Sequence, residues 1–292
     1  MTPVQVIGEV GGSSSRWAVV HGPDQVDLFP AKGEAVPGFN PLNGDATLFA
    51  EGISTYLMER SPGAFRSPEV LVYGAGCGSA DRKARMASAL GGIWPNARIH
   101  VETDLLGAAR GLLGTEQGLV LILGTGMNAG HFDGRQLFRP MPSLGWVLGD
   151  EGSGADIGRT LLQDAFYRRM PQAVSEALFG ADGPDLDLVL QEVHRSPFPA
   201  RALAARTALL APLLHETYVI DLVRSRFHAM AELLVTFFTP EQRASVVATG
   251  SVAWGFRELL AECLLDRGMT LTAVERDPLP GLVRYHRASP DR

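Results

Sequence analysis

Hydrophobic and polar residues alternate in a pattern that occurs twice along the chain. The order strand, glycine-rich turn, strand, short turn, strand is predicted at 4–29 and again at 118–138, beginning about 114 residues later. Apolar runs predict four further strands, at 70–73, 97–101, 245–249 and 270–274. Segments with helical spacing of apolar residues lie between these strands. The pattern therefore predicts an α/β protein of two similar domains, each opening with a β-meander.

Helical periodicity is clearest in the second half of the chain. From Gly152 to about Phe238 the chain is predicted to be mostly helical, and the apolar stripe within 218–238 is typical of a core helix. A short helix at 278–287 is predicted to close the chain. Cys263 shares an apolar helical face with residues such as Val252, so we expect it to be buried.

Three glycine-rich turns each follow a predicted strand: GGSSS, GTGMN and TGSV. Successive backbone N–H groups in such turns attract anions, so two of them could hold a polyphosphate and the third could meet a nucleoside. Ordinary hairpin turns would use the same residue types. The chain lacks the P-loop pattern GxxxxGK[ST]. GAGCGS at 74–79 also lacks the GxGxxG spacing and the acid about 20 residues later that a dinucleotide fold needs.

The segment at 144–159, LGWVLGDEGSGADIGR, places Asp150 and Glu151 among closely spaced glycines. Glycine lets the backbone approach a ligand closely. A helical pattern begins just after the acids, so this loop precedes a helix N-terminus. Two interpretations remain open: a ligand site, or a helix capped by Asp150, Glu151 or Ser153.

Composition narrows the class of protein. The 292 residues carry a net charge of −6 with no basic run, which argues against nucleic acid and anionic membranes as partners. No apolar stretch reaches the ~18 residues that span a bilayer, and the N-terminus lacks signal-peptide features, so we expect a cytoplasmic protein. The two cysteines, Cys77 and Cys263, form neither a metal-binding spacing nor a disulfide framework.

Eight short landmarks occur in order along nearly the whole chain: GEVGGSSSRW, GFNP, YGAGC, ETDLLGAAR, LGTGMN, LGWVLGDEGSGADIG, TGSV and PLPGLVRYH. Together they resemble the N-acetylglucosamine kinase branch of the actin, hexokinase and Hsp70 superfamily, grouped with the BadF/BadG/BcrA/BcrD ATPases. The resemblance implies an α/β fold of two ribonuclease H-like (actin-like ATPase) domains with a cleft between them. It implies an N-terminal domain at 1–110, for which the helix near 280–292 is a candidate completion, and a C-terminal domain with a helical insertion at 111–280.

The resemblance also implies an ATP-dependent sugar kinase that uses Mg²⁺ and makes N-acetylglucosamine 6-phosphate. Asp104 matches the aspartate that accepts the proton of the sugar hydroxyl, and Glu9 stands where an acid holds hydrated Mg²⁺. The positions that match ATP-binding residues are Gly11, Gly12, Ser13, Gly124, Thr125, Gly126, Gly250 and Ser251. The positions that match sugar-facing residues are Asn40, Asn128, Gly145, Trp146 and Asp150.

Simpler explanations exist for three of these residues. Asp104 lies where a strand becomes a helix, so it could act only as an N-cap. Asn128 could be a turn residue that tolerates positive φ. Trp146 could be an ordinary core residue.

Three positions depart from the family pattern. Glu9 replaces the usual Asp and adds a methylene, which changes the reach of the carboxylate. Ser14 stands where a basic residue is usual, with Arg16 two places on. Because a cation near the transferring phosphoryl group normally helps, this change bears on the catalytic rate. Met127 replaces the usual Ser or Thr, which removes one hydroxyl from the second turn.

The same residues also bear on alternative functions. A non-catalytic nucleotide or sugar sensor would explain Glu9 and Ser14, but Asp104 and the complete DEGSG run argue against it. An iron–sulfur ATPase activator needs closely placed cysteines, and a zinc-containing protein of the ROK type needs a cysteine cluster. The two cysteines of this chain, Cys77 and Cys263, argue against both functions. The sequence leaves open N-acetylglucosamine, N-acetylmuramic acid, glucosamine or glucose as the sugar, and a homodimer as the assembly.

Overall fold

A computed structural model describes residues 4–22, 25–31, 33–42, 44–196 and 198–288. The chain forms two compact units. The first contains the described residues up to Thr115 and those from Asp277 onward, and the second is Glu116–Arg276. None of the helices in the described part of the chain combines the length and the apolar character needed to cross a membrane.

The strands of the first unit are β1 (Gln5–Val10), β2 (Ser14–Val20), β3 (Val26–Phe29), β4 (Val36–Pro37), β5 (Glu69–Gly74) and β6 (Arg98–Thr103). Those of the second unit are β7 (Gly118–Leu123), β8 (Met127–Phe132), β9 (Leu137–Phe138), β10 (Ser245–Thr249) and β11 (Thr270–Glu275).

The helices of the first unit before the chain leaves it are α1 (Ala46–Arg60), α2 (Ala80–Gly91) and α3 (Asp104–Leu113), with a short 3₁₀ turn at Pro62–Arg66. The helices of the second unit are α4 (Gly145–Leu148), α5 (Gly154–Phe166), α6 (Gln172–Phe179), α7 (Leu186–His194), α8 (Pro199–Ala208), α9 (Thr217–Phe237), α10 (Pro240–Arg243), α11 (Ser251–Gly255) and α12 (Arg257–Leu265), with a 3₁₀ turn at Ala211–Leu213. The last helix, α13 (Leu279–Ala288), belongs to the first unit.

The two sheets have the same topology. The first has the order β3-β2-β1-β5-β6, with β4 beside β2, and the second has the order β9-β8-β7-β10-β11. In each sheet the meander strands pair antiparallel. Of the two later strands, one pairs parallel with the first strand and the other pairs parallel with that later strand. The internal repeat predicted from the apolar pattern is therefore confirmed at the level of strand order.

Strand register brings the ends of the parallel strands together at one edge of each sheet. Val10 of β1 is the partner of Gly74, and Gly74 is the partner of Thr103 at the end of β6. In the second sheet Thr249 is the partner of Ile122. The turns that follow these strands consequently lie side by side, which is where open parallel sheets commonly bind ligands.

Both faces of the first sheet are buried. Val6 and Val10 contribute to a core that contains residues of α1 and α2, whereas Ile7 faces a second core that contains Leu282 of α13. Because successive strand residues point to opposite faces, burial on both sides explains why the adjacent β1 residues Val6 and Ile7 are both apolar. In the second unit, the apolar stripe predicted at 218–238 packs in the core, as does Cys263.

The first glycine-rich turn is shorter than the sequence predicts. The sequence predicts one tight turn over GEVGGSSSR at 8–16, but β1 continues to Val10 and β2 resumes at Ser14. A Cβ at Gly8 would lie 2.5 Å from the ring of Trp17, its cross-strand partner. Gly8 therefore makes room for an aromatic ring rather than for a change of direction, and Glu9 belongs to a strand.

Candidate active site

The first turn is held by backbone contacts. The Gly11 N–H donates to the Ser14 carbonyl at 2.9 Å, and the Gly11 carbonyl accepts from the Phe39 N–H at 3.0 Å. A Cβ at Gly38 would lie 2.2 Å from the Gly11 oxygen, so the GFNP segment can approach the turn this closely only because it carries glycine there. These contacts set the position of the Gly11–Ser13 backbone.

Glu9, at the end of β1, lies among other carboxylates. The pKa of Glu9 is raised to about 7, mainly by burial and also by the nearby carboxylates of Asp277 and Asp104, against the opposing effect of Arg16. The residue as a whole keeps part of its surface exposed, so solvent screens some of this effect. The first unit thus concentrates negative charge beside its glycine turn.

Arg16 is held by Asp277. It is the cross-strand partner of Glu9, and its Nη1 lies 2.6 Å from Oδ2 of Asp277. The other carboxylate oxygen of Asp277 accepts from the Leu279 N–H at 2.9 Å, at the start of α13. Asp277 therefore fixes Arg16 through a carboxylate that is itself anchored to a helix start.

Asp104 is the first residue of α3, directly after β6. The N-cap of this helix is Thr103, whose Oγ1 accepts from the Leu106 N–H at 3.2 Å. Oδ1 of Asp104 accepts from the Leu105 N–H at 2.8 Å. Because Thr103 performs the capping, the N-cap explanation of Asp104 loses its main support. A carboxylate in the first turn of a helix is also favoured by the helix dipole.

Asn40 shapes the neighbouring loop. Its Oδ1 accepts from the Leu42 N–H at 3.0 Å, and its carbonyl accepts from the Gly44 N–H at 2.7 Å. A Cβ at Gly76 would lie 2.3 Å from the same Oδ1. Asn40 thus packs against the loop after β5, at the edge that carries the first turn.

The chemistry of the donor set fits a magnesium ion brought by a nucleotide. Among the residues that the structure describes, no group of three or more His, Cys, Asp or Glu side chains could hold a metal by itself. Mg²⁺ does not need such a group, because it usually takes one or two carboxylates together with phosphate oxygens and water. Glu9 offers one carboxylate, and the surrounding excess of negative charge favours a cation.

In the second unit, backbone bonds join the second turn to the start of α5. The Gly124 carbonyl accepts from the Gly154 N–H at 2.8 Å, and the Thr125 carbonyl accepts from the Ala155 N–H at 3.1 Å. Within the turn, the Gly124 N–H donates to Gly126 at 3.0 Å. Ser153 caps α5, so one of the capping interpretations of this segment is confirmed.

Asp150 lies against the second turn in an unusual conformation. Its φ is 63°, in the left-handed region that few residues other than glycine and asparagine adopt. A Cβ at Gly126 would lie 2.7 Å from Oδ2 of Asp150, so the turn needs glycine there. Burial raises the pKa of Asp150 to about 6, although the Met127 N–H donates a hydrogen bond to its carboxylate.

Gly250 brings the third turn onto the second. It has a φ of 109°, and a Cβ there would lie 2.3 Å from the Leu123 carbonyl oxygen. Ser251 follows as the first residue of α11. Thr249, at the end of β10, is buried, and its Oγ1 has no hydrogen-bond partner among the described residues.

The remaining predicted sugar-facing residues lie in the second unit. Arg139 donates to Oδ1 of Asn128 at 3.1 Å, and Gly145 starts α4 with a φ of 73°. Trp146 is half-buried against a small apolar cluster, so it is partly a packing residue. Asn128 is close to the second turn in sequence and pairs with Ile122.

Asp156 is the organising acid that sequence reasoning missed. It is buried, accepts from the Gly152 N–H at 2.9 Å, and pairs with Arg159 at 2.9 Å and Arg226 at 2.7 Å. Its place in the first turn of α5 is a local signal for an acid, but Arg226 lies 70 residues away and leaves no such signal. The structure thus explains the Gly152 loop by a buried charge network.

Solved structures of known proteins resemble this chain over nearly its whole length. A candidate N-acetylglucosamine kinase from Porphyromonas gingivalis is 31% identical, with a TM-score of 0.84, over 98% of this chain and 99% of that one. A second candidate N-acetylglucosamine kinase, from Chromobacterium violaceum, is 19% identical, with a TM-score of 0.63, over 97% and 98% of the two chains.

A ROK family glucokinase from Streptomyces griseus, solved with glucose and AMPPNP, is 17% identical, with a TM-score of 0.53, over 99% of this chain and 100% of that one. At such identities the last two matches show the fold alone. No protein-family model matches the chain, and no curated protein does. The fold of two actin-like ATPase domains predicted from the sequence is confirmed by the solved structures.

Proposed function

The chain belongs to the family of sugar kinases with the actin-like ATPase fold that includes the Porphyromonas gingivalis protein, and from this premise we propose that it phosphorylates an amino sugar with ATP. The proposed substrate is N-acetylglucosamine, and the proposed product is its 6-phosphate. One observation carries the proposal: Asp104 stands at the end of β6, level with the end of β1 and its glycine turn, while Thr103 performs the helix capping.

Asp104 is the proposed proton acceptor. The 6-hydroxyl oxygen attacks the γ-phosphorus, its proton passes to the Asp104 carboxylate, and the bond from phosphorus to the bridging oxygen breaks so that ADP leaves with that electron pair. Because this transition state is loose, the carboxylate mainly orients the hydroxyl. Asp104 lies in the first turn of α3, where the helix dipole favours a carboxylate.

The proposed phosphate contacts are the backbone N–H groups of the two turns, which are those of Gly11, Gly12 and Ser13 and those of Gly124, Thr125 and Gly126. Gly250 and Ser251 would contact the adenosine. Glu9 would hold the Mg²⁺ that accompanies ATP. When bound, this ion would neutralise part of the negative charge of the phosphates.

The sugar would be bound by polar groups beside the turns. Asn40 is the proposed contact from the first unit, and Asn128, Gly145, Trp146 and Asp150 are the proposed contacts from the second. Hydrogen-bonding groups of this kind suit a polyhydroxyl ligand, because a missing hydroxyl would leave a polar partner unpaired.

A non-catalytic nucleotide or sugar sensor is the second candidate. The ion pair of Arg16 with Asp277 favours it, because Arg16 is the cation beside the first turn and a carboxylate already neutralises it. A coupled ADP-release assay over a panel of amino sugars tests the choice. The kinase proposal expects ADP release that depends on Mg-ATP and is fastest with N-acetylglucosamine. Folded protein that binds ATP by calorimetry but releases no ADP with any amino sugar would favour the sensor.

A further inference from the structure

A buried chain of hydrogen bonds lies within the first unit and plays no part in the site described above. Arg110 of α3 donates from Nη1 to the Tyr73 oxygen at 2.9 Å, and the same oxygen lies 2.8 Å from Nε2 of His286. Tyr73 belongs to β5 and His286 to α13, so the chain of bonds joins the sheet to both helices on one of its faces. Tyr73 and His286 are both almost fully buried.

The chemistry of the three groups gives the chain one direction. Arg110 can only donate, so the Tyr73 oxygen accepts from it, and the Tyr73 hydroxyl proton is free to bond Nε2 of His286. This bond requires a neutral imidazole whose proton is on Nδ1. Burial, together with the charge of Arg110, lowers the pKa of His286 to about 4. At neutral pH the hydrogen bonds are therefore donated in one direction, from Arg110 to Tyr73 and from Tyr73 to His286.

Stability alone does not account for this arrangement. Nε of Arg110 is buried and has no hydrogen-bond partner among the described residues. The guanidinium is held over the rings of Tyr73 and Tyr285, at 5.9 and 5.3 Å from their centroids. Within the described part of the chain it forms no ion pair with a carboxylate. Replacing all partners of a hydrogen bond by apolar groups of the same shape can be nearly neutral for stability.

The bonds act on a helix that packs through glycines. A Cβ at Gly107 of α3 would lie 2.7 Å from Cβ of Tyr73, and one at Gly281 of α13 would lie 1.9 Å from the Gly111 carbonyl oxygen. These contacts bring α3 against its neighbours, and the apolar side chains of Leu105 and Leu106 add packing that has no directional bond. The Arg110 side chain adds a directional hydrogen bond to Tyr73, about 9 Å along the helix axis from Asp104.

We propose that Tyr73, Arg110 and His286 form a positioning clamp that fixes the orientation of α3 and thereby the carboxylate of Asp104. The inference rests on the proposed kinase function. Tyr73 is the central positioning residue, because it contacts both other members of the clamp. A displacement of about 1 Å at a reacting group can cost up to about 100-fold in rate. A helix that rotates slightly would thus impair turnover without affecting the ligand contacts.

Tyr73→Phe tests the clamp, because it removes one oxygen and keeps the ring. The kcat should fall about tenfold, whereas the KM values for sugar and ATP should change less than about twofold. Hydrogen exchange should speed up at the amides of α3 and remain unchanged in α2. The matched control is Tyr285→Phe, which keeps the ring under Arg110, and it should behave like the wild type.

Two further variants separate positioning from stability. His286→Gln can accept the Tyr73 proton through its amide oxygen, so it should retain most of the turnover. The triple variant Tyr73→Phe, Arg110→Met, His286→Leu should keep the wild-type melting temperature and still show the reduced kcat.

The failures of the two proposals differ. A Tyr73→Phe enzyme with wild-type kcat and wild-type exchange in α3 would overturn the clamp while the kinase stands. A triple variant whose kcat loss is matched by loss of folded protein would reduce the clamp to a stabilising contact and would also overturn it. If the wild type itself releases no ADP with any amino sugar, the proposed function fails, and the clamp proposal fails with it.

Discussion

The turn after β1 and the turn after β7 occupy the same place in two sheets of the same topology, but different side chains surround them. Around the first turn lie four charged residues: Glu9, Arg16, Asp104 and Asp277. The second turn is fixed mainly by backbone bonds to the start of α5, and the carboxylate of Asp150 rests on Gly126. The two sheets thus share a strand order, but the groups that surround their first turns differ.

This difference suggests a division of labour. Backbone N–H groups of a turn can bind phosphate whatever the side chains are, so both copies keep that capacity. Proton transfer and metal binding need particular carboxylates. We propose that these tasks belong to the first unit, whose sheet edge carries Glu9 and Asp104. Four substitutions and one matched control test this comparison.

Asp104→Asn should have the largest effect. The change keeps size and polarity but removes the charge that accepts the proton, so kcat should drop by ~10²–10⁴, the usual range for general base catalysis. Sugar and ATP affinities should change much less, because the loss falls on the transition state. Melting temperature should barely move, since Thr103 caps the helix. Near-wild-type turnover would remove the proposed base and with it the assignment of proton transfer to the first unit.

Gly250→Ala should disturb the second turn through its backbone. Alanine would have to adopt a φ of 109° and place its Cβ 2.3 Å from the Leu123 oxygen. We expect a loss of about 2–4 kcal/mol in unfolding free energy, measured by chemical denaturation, and weaker ATP binding.

Gly12→Ala is the matched control in the first turn. Its Cβ would meet only Cβ of Asn40, at 3.9 Å, so stability should stay within about 0.5 kcal/mol of the wild type. Equal losses in the two variants would contradict the inference that position 12, unlike position 250, has room for a side chain.

Glu9→Gln should stabilise the protein at alkaline pH. The folded state keeps the Glu9 proton up to a pKa of about 7, whereas the unfolded chain releases it near 4.5. Wild-type stability should therefore decrease as pH rises from 4.5 through 7, and the variant should escape this loss. Allowing for solvent screening, we expect a gain on the order of 1–2 kcal/mol at pH 8 in Mg²⁺-free buffer and none near pH 4. A stability difference between variant and wild type that does not depend on pH would show that the pKa of Glu9 is not raised in the folded state.

Asp150→Asn should also stabilise the protein at alkaline pH, but by the smallest amount of these variants. The pKa of Asp150 is raised from 3.8 to about 6, so the wild type should lose stability over that pH interval and the variant should not. Asparagine also tolerates the φ of 63° better than aspartate. Urea unfolding at pH 4 and pH 8 should give a difference below about 1 kcal/mol, because the carboxylate is partly solvated. A larger gain in stability than for Glu9→Gln would show that the stronger electrostatic effect lies beside the second turn rather than the first.

Local pattern was sufficient to predict the elements that carry the site. Apolar runs predicted the strands, and the change of period at Asp104 predicted that it stands where β6 becomes α3. The role of glycine was harder to read. Gly8, Gly38 and Gly126 look alike in sequence, but each leaves room for a different neighbour: a ring, a turn and a carboxylate.

Long-range charge pairs were beyond the reach of the sequence. Arg16 lies 261 residues from Asp277, and Asp156 lies 70 residues from Arg226. The same holds for Tyr73 and His286, which are 213 residues apart. Hydrophobic periodicity reports which face of an element is buried, but it does not report which distant side chain will meet a buried charge.

The sequence by itself determined the order of strands and helices, the repeat and the glycine-rich turns, because these follow from side-chain burial and backbone freedom over a few residues. Only the tertiary structure decided that Thr103 rather than Asp104 caps α3, that Asp277 holds Arg16, and that Glu9 and Asp150 resist ionisation. Those properties depend on distances and on exclusion of water, which are set when remote segments pack together.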